Sequence, residues 1–152
     1  MQCSQRCSVS AYYEPSLRGA IWPLNTTDRY GRWTNLVLAS EEYNKPGKAP
    51  LLDCISIGHP SLTTKEDYDK CVIPIQILAP EIDSAYNREL KLHTFETLLS
   101  KNIAFDYRHF SHVEHSCFVR GDPSKPNEQE AMTRGKNAAV DWMREWLHPA
   151  SM

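Results

Sequence analysis

The sequence predicts a three-layer α/β/α domain with a mostly parallel sheet. Three observations carry this. Residues 51–57 and 71–79 are short, nearly unbroken apolar runs, as in strands covered on both faces. Residues 104–110, A-F-D-Y-R-H-F, alternate in the period of a third strand. Segments with helical spacing separate and follow these runs, and strands alternating with helices make parallel sheets.

Each element has its own justification. Residues 1–30 mix Ser, Tyr, Pro, Asn and Thr without period, so an irregular, poorly ordered segment is expected, with one short strand at 19–22. From Trp33 a helical pattern places Trp33, Leu36, Val37 and Ser40 on one face. The break is N-K-P-G-K at 44–48. Strands are expected at 51–57 and 71–79, with Pro74 near the start of the second, where a missing N–H is tolerated. A helix over 87–101 is marked by Leu92, Phe95 and Leu99, and the third strand by 103–110. After a loop at 122–127, a last helix over 128–147 is expected to bury Ala131, Ala138, Ala139, Trp142, Met143 and Trp146. The ordered domain is thus expected at 31–149.

Length and charge bound the function. The chain has 152 residues, one modest domain. A net charge of −2 gives no electrostatic case for nucleic acid or an anionic membrane as partner. No apolar run reaches a membrane span, and the N-terminus lacks the apolar core of a secretory signal. The five cysteines, Cys3, Cys7, Cys54, Cys71 and Cys117, fit no metal spacing. Those at 54, 71 and 117 lie in apolar runs, as buried free thiols of a cytoplasmic protein do.

The chemistry concentrates after two strands. The run I-Q-I-L-A-P-E-I-D at 75–83 ends in Asp83, and V-E-H-S-C-F-V-R-G at 113–121 presents His115 after the alternating run. An acid followed by a histidine, each just past a strand, is the chain order of α/β-hydrolase triads. Asp83 would orient His115, and His115 would take the proton of a nucleophile. An ordinary loop acid and a solvated histidine are the plainer alternatives for each residue alone.

These pieces resemble the dienelactone hydrolase family of α/β-hydrolases, most of all its fungal members. The matching motifs are G-H-P-S at 58–61, V-I-P-I-Q-I-L-A-P-E-I-D at 72–83, F-D-Y-R-H-F at 105–110, H-S-C-F-V-R-G-D at 115–122 and A-A-V-D-W-M-R-E-W-L at 138–147. The resemblance covers about residues 50–148 well and 31–49 loosely. It implies part of an α/β-hydrolase fold, hydrolysis of a small lactone or carboxylic ester, no metal and no cofactor. It implies a Cys–His–Asp triad, with the cysteine in a G-x-C-x-G-G elbow. It also suggests substrate-binding roles for Arg120, whose spacing from the histidine is one residue longer than usual, and for His59 as a pocket-lining residue. A surface ion pair of Arg120 with Asp122 or Glu114, and a capping or packing role for His59, are the bland alternatives.

The elbow itself departs from the family. Residues 27–32 fall over it, with Arg29 where the cysteine should stand and Arg32 where the second glycine should stand. Arginine stays protonated and cannot attack. Ser56 in C-I-S-I-G and Cys117 are weak substitutes, the first inside a strand and the second too close to His115 along the chain. Two functions therefore stand open. One is a hydrolase working through a nucleophile, His115 and Asp83. The other is a truncated, inactive remnant or interaction protein, with a homo-oligomer formed through an open sheet edge.

Overall fold

The computed structural model of the chain describes residues 31–147. The expected irregular segment at 1–30, its strand at 19–22, Cys3, Cys7 and Arg29 lie outside the described residues, as do residues 148 and 149 of the expected domain. The elements run α1 (Gly31–Leu38), β1 (Ile55–Gly58), α2 (Lys65–Asp69), β2 (Ile75–Ile82), α3 (Arg88–Ser100), β3 (Phe105–Glu114), α4 (Cys117–Arg120) and α5 (Pro126–Leu147). The three strands form an open, all-parallel sheet in the order β1-β2-β3. The protein is of the α/β class.

Register explains how the sheet is covered. Ile55 pairs with Ile75 and Ile75 with Phe105; Ile57 pairs with Ile77 and Ile77 with Tyr107. Partners in register share a face, so these residues make one apolar surface. Leu36 and Ala39 of α1 and its end, Tyr68 of α2, and Leu90 and Leu98 of α3 join it in one core. Leu78 and Phe110 turn to the opposite face and pack with Cys117, Ala131 and Ala138. Helices thus supply cores to both faces, which is why β1 and β2 read as continuous apolar runs. Ile55, Ser56 and Ile57 are fully buried although β1 pairs with only β2 among the described strands.

Several boundaries differ from expectation. The run 51–57 yields a strand only from Ile55, and Leu51 is exposed. The second strand starts after Pro74, whose carbonyl accepts the Ile55 amide at 3.0 Å, and continues to Ile82. Cys71 instead makes an isolated antiparallel bridge to Ser40. In α1, Leu36 is buried while Trp33 is 44% exposed, so the buried face is narrower than its spacing implied.

The α3 face is a larger correction. Leu92, Phe95 and Leu99 are exposed, and Leu90, Thr94 and Leu98 point inward. Two sets of residues share the 3- and 4-residue spacing here, and spacing alone does not rank them. The Thr94 hydroxyl resolves its burial locally by donating to the Leu90 carbonyl at 2.8 Å. Phe95 keeps part of its ring against Phe105 and Tyr107 in edge-to-face contacts. Asn87 caps the helix, its Oδ1 accepting the Leu90 amide at 3.0 Å.

The third strand runs four residues further than the alternating pattern. Pairing passes from Pro80–Phe110 to Ile82–Glu114, so β3 carries extra residues over this step. Such a bulge changes the phase of the strand and re-aims the side chains beyond it. Phe110 and Val113, three apart, are therefore both buried, and His112 adopts a left-handed φ of 60°. The Glu81 carboxylate accepts the His112 amide at 2.6 Å, which satisfies the bulged backbone. In α5, Ala131, Ala138, Ala139 and Trp142 are buried as expected, Met143 and Trp146 only partly so. None of the described helices is long and apolar enough to cross a membrane.

Candidate active site

Asp83 and His115 meet beyond the ends of adjacent parallel strands. Asp83 directly follows β2 and His115 directly follows β3. The His115 amide donates to the Ile82 carbonyl at 2.9 Å, locking the two strand ends together. Ring atom Nδ1 of His115 then lies 2.8 Å from Oδ2 of Asp83. The approach is off the N–H direction of the ring, so the pair is a close polar contact rather than an aligned hydrogen bond. The Asp83 side chain is fully buried, and that of His115 keeps 32% of its surface open.

The chain fixes the acid first. Oδ1 of Asp83 accepts the amides of Ala85 and Tyr86, both at 2.9 Å. These bonds leave Oδ2 for the imidazole. Burial by itself raises a carboxyl pKa, but here the His115 contact and the two amides outweigh it and hold Asp83 below its usual value. The acid is therefore ionised at neutral pH, as an orienting carboxylate must be. It favours the tautomer with the proton on Nδ1 and leaves Nε2 as acceptor.

A hydroxyl stands at that acceptor. Ser61 Oγ lies 3.2 Å from His115 Nε2. Ser61 follows β1 by three residues on a turn where His59 has φ 39° and Leu62 has φ 59°. Two non-glycine residues in the left-handed region within four positions mark a strained turn. The turn runs into α2, where the Asp67 carboxylate reaches back to the Thr64 amide at 2.7 Å.

His59 and α4 form the wall behind His115. The His59 ring is 2% exposed, meets the His115 ring edge-on at 5.1 Å and stacks on Phe118 at 5.7 Å. Phe118 fits because two glycines leave room. A Cβ on Gly58 would lie 3.2 Å from its ring, and one on Gly135 only 2.7 Å. Phe118 also meets Phe110 edge-on at 4.7 Å. The His59 ring thus packs against other rings and is turned from open solvent. Arg120 ends α4 and is exposed. Glu114, one ion-pair partner expected for it, is 3.3 Å from Lys125.

The substitutes for a missing elbow separate clearly. Ser56 is buried within the sheet, donating to Gln76 Oε1 at 2.6 Å. Gln76 in turn donates to Asp106 and to the Ala138 carbonyl, so Ser56 belongs to a structural network. Cys54, Cys71 and Cys117 are buried free thiols. Burial pushes Cys117 up to about 12, which keeps it protonated and unreactive. Sequence reasoning missed Ser61 as a partner of His115. The only signal was its place in G-H-P-S after a strand, and no local spacing brings residue 61 to residue 115.

No protein-family model matches the chain. It is similar to "Hydrolase pyvD" of Aspergillus violaceofuscus (strain CBS 115571), with 28% identity over 106 residues. The match takes in 69% of this chain but 42% of that protein, so the chain spans less than half of its relative's length. A geometry of acid, imidazole and hydroxyl at the strand ends thus occurs in a chain with a distant likeness to a hydrolase.

Proposed function

We propose that this chain carries the acid–base half of a dienelactone hydrolase-like enzyme acting on a lactone or carboxylic ester. Asp83 holds His115 in the tautomer that accepts at Nε2. His115 takes a proton from the attacking group and later returns one to the leaving oxygen. The observation that carries this reading is the 2.8 Å contact of the buried Asp83 with His115, each just beyond a parallel strand. Ligands of open α/β sheets bind at the carboxyl ends of the strands, where this pair lies. The distant likeness to Hydrolase pyvD supports the same chemistry. Within this reading the three strands belong to an α/β-hydrolase sheet, and His59 supports the His115 ring. Arg120 is the candidate for an anionic group on the substrate.

A second reading has one specific observation in its favour. Arg29 stands where the resembled family has its cysteine. In that case the chain is a non-catalytic relative that pairs with another chain through an open sheet edge.

Hydrolysis of p-nitrophenyl acetate and of a dienelactone separates the two. The first reading expects turnover that falls by roughly 10²–10⁴-fold in His115→Ala and in Asp83→Asn, the range seen when triad members are removed. Turnover equal in all three proteins would overturn it.

A further inference from the structure

We propose that Ser61 is the nucleophile of this site, completing a Ser61–His115–Asp83 triad on a turn unlike the expected elbow. The inference rests on the acid–base reading of Asp83 and His115 and adds the missing reactant to it. Nucleophile, base and orienting acid must be joined in series. Here the series is Ser61 Oγ to His115 Nε2 at 3.2 Å, then His115 Nδ1 to Asp83 Oδ2 at 2.8 Å. The first distance is at the long end of hydrogen-bond reach, as is common before substrate binds.

The turn has the properties that an attacking serine needs. It leaves a parallel strand, β1, and leads into a helix, α2, as nucleophile turns of α/β-hydrolases do. Left-handed backbone at His59 and Leu62 brackets Pro60 and Ser61, so the serine sits on a rigid, strained bend. Ser61 is 9% exposed while His115 keeps 32% of its side chain open, so a substrate reaches the pair from the His115 side. Leu62, the next residue, is 57% exposed. The substrate class that fits is a carboxylic ester or lactone.

The reaction balances without a co-reactant other than water. Ser61 Oγ bonds to the carbonyl carbon as its proton passes to His115 Nε2, and the carbonyl electron pair moves onto oxygen. Backbone N–H groups carry that oxyanion, and the amide after the nucleophile, here Leu62, is the usual first donor. Collapse breaks the bond to the leaving oxygen, which takes the proton from Nε2. The acyl-Ser61 ester is then opened by water, whose proton goes to Nε2 and on to Ser61 Oγ as the acid departs.

The test uses the full chain and a fluorophosphonate probe, with the adduct located by peptide mass spectrometry and p-nitrophenyl acetate turnover measured in parallel. The adduct is expected on the peptide containing Ser61. It should disappear in Ser61→Ala and in His115→Ala, and fall about tenfold or more in Asp83→Asn. Ser61→Cys covers the case in which Ser61→Ala fails to fold. Its new thiol should react with iodoacetamide at neutral pH about tenfold faster than Cys54, and lose that advantage in the His115→Ala background. Turnover that survives Ser61→Ala but dies in His115→Ala, with the adduct elsewhere, would overturn Ser61 and leave the acid–base pair standing. No adduct, together with turnover indifferent to His115→Ala, would overturn both.

Discussion

Ser116, next to His115, sits at φ 75° and ψ 0°, and its side chain makes no capping hydrogen bond to α4. Left-handed backbone costs a residue with a Cβ roughly 1–2 kcal/mol, against part of which Gly sets a larger loss of chain entropy on folding. Ser116→Gly is therefore expected to raise stability by up to about 1 kcal/mol while leaving the Asp83–His115 contact in place. A urea midpoint that falls in this variant would mean that the Ser116 side chain holds something essential. At this scale the meeting of Asp83 and His115 was legible because each directly follows a strand, and neighbouring parallel strands bring such positions together. Ser61 was not. Its contact with His115 spans 54 positions and depends on two left-handed residues, His59 and Leu62, whose types do not announce that conformation.

Helix α3 and the α4–α5 pair carry the predictions that belong to elements. Leu98 is fully buried and Leu99 is 63% exposed, though they are neighbours. Leu98→Ala should cost about 2–5 kcal/mol, the usual range for a core leucine, and Leu99→Ala within about 0.5 kcal/mol. Equal costs in chemical denaturation would restore the face that spacing suggested. In α5, Gly135→Ala would ordinarily help a helix by about 1 kcal/mol. Here the added Cβ meets the Phe118 ring at 2.7 Å, so the variant is expected to destabilise and to shift the ring off His59. Near-ultraviolet circular dichroism and a urea midpoint check both effects. The three strands and helices α1, α3 and α5 were legible because apolar runs and helical spacing are strong signals, whereas α2 and α4, five and four residues long, are too short to show a period. The bulge that lengthens β3 was not. It arises from a shifted register against β2, and register is a property of two strands rather than one.

The whole molecule is built on buried groups that must stay neutral, and this sets its alkaline limit. Burial, the largest cause in each case, pushes Cys54 and Cys117 up to about 12 and Cys71 up to about 11. It also raises the buried phenols of Tyr68 and Tyr86. In the unfolded chain a thiol titrates near its ordinary value of about 8.5. A group whose pKa is higher folded than unfolded adds stability that is complete below the unfolded pKa. That stability drains away as pH rises toward the folded pKa. Above about pH 9 each of the three thiols thus removes up to about 1.4 kcal/mol per pH unit. Asp83 works in the other direction. Its depressed pKa adds stability above the ordinary carboxyl range, which is lost as pH falls through the folded value. The expected profile is a broad plateau through neutral pH, a shoulder on the acid side and a steep fall from about pH 9 upward. Urea midpoints between about pH 7 and 11 check it, with Cys54→Ala and Cys117→Ala each making the alkaline slope shallower. A midpoint that stays level to about pH 10.5 would mean that these thiols ionise in place. It would also mean that the cores on the two faces of the sheet admit water where the packing of Cys71 and Cys117 excludes it.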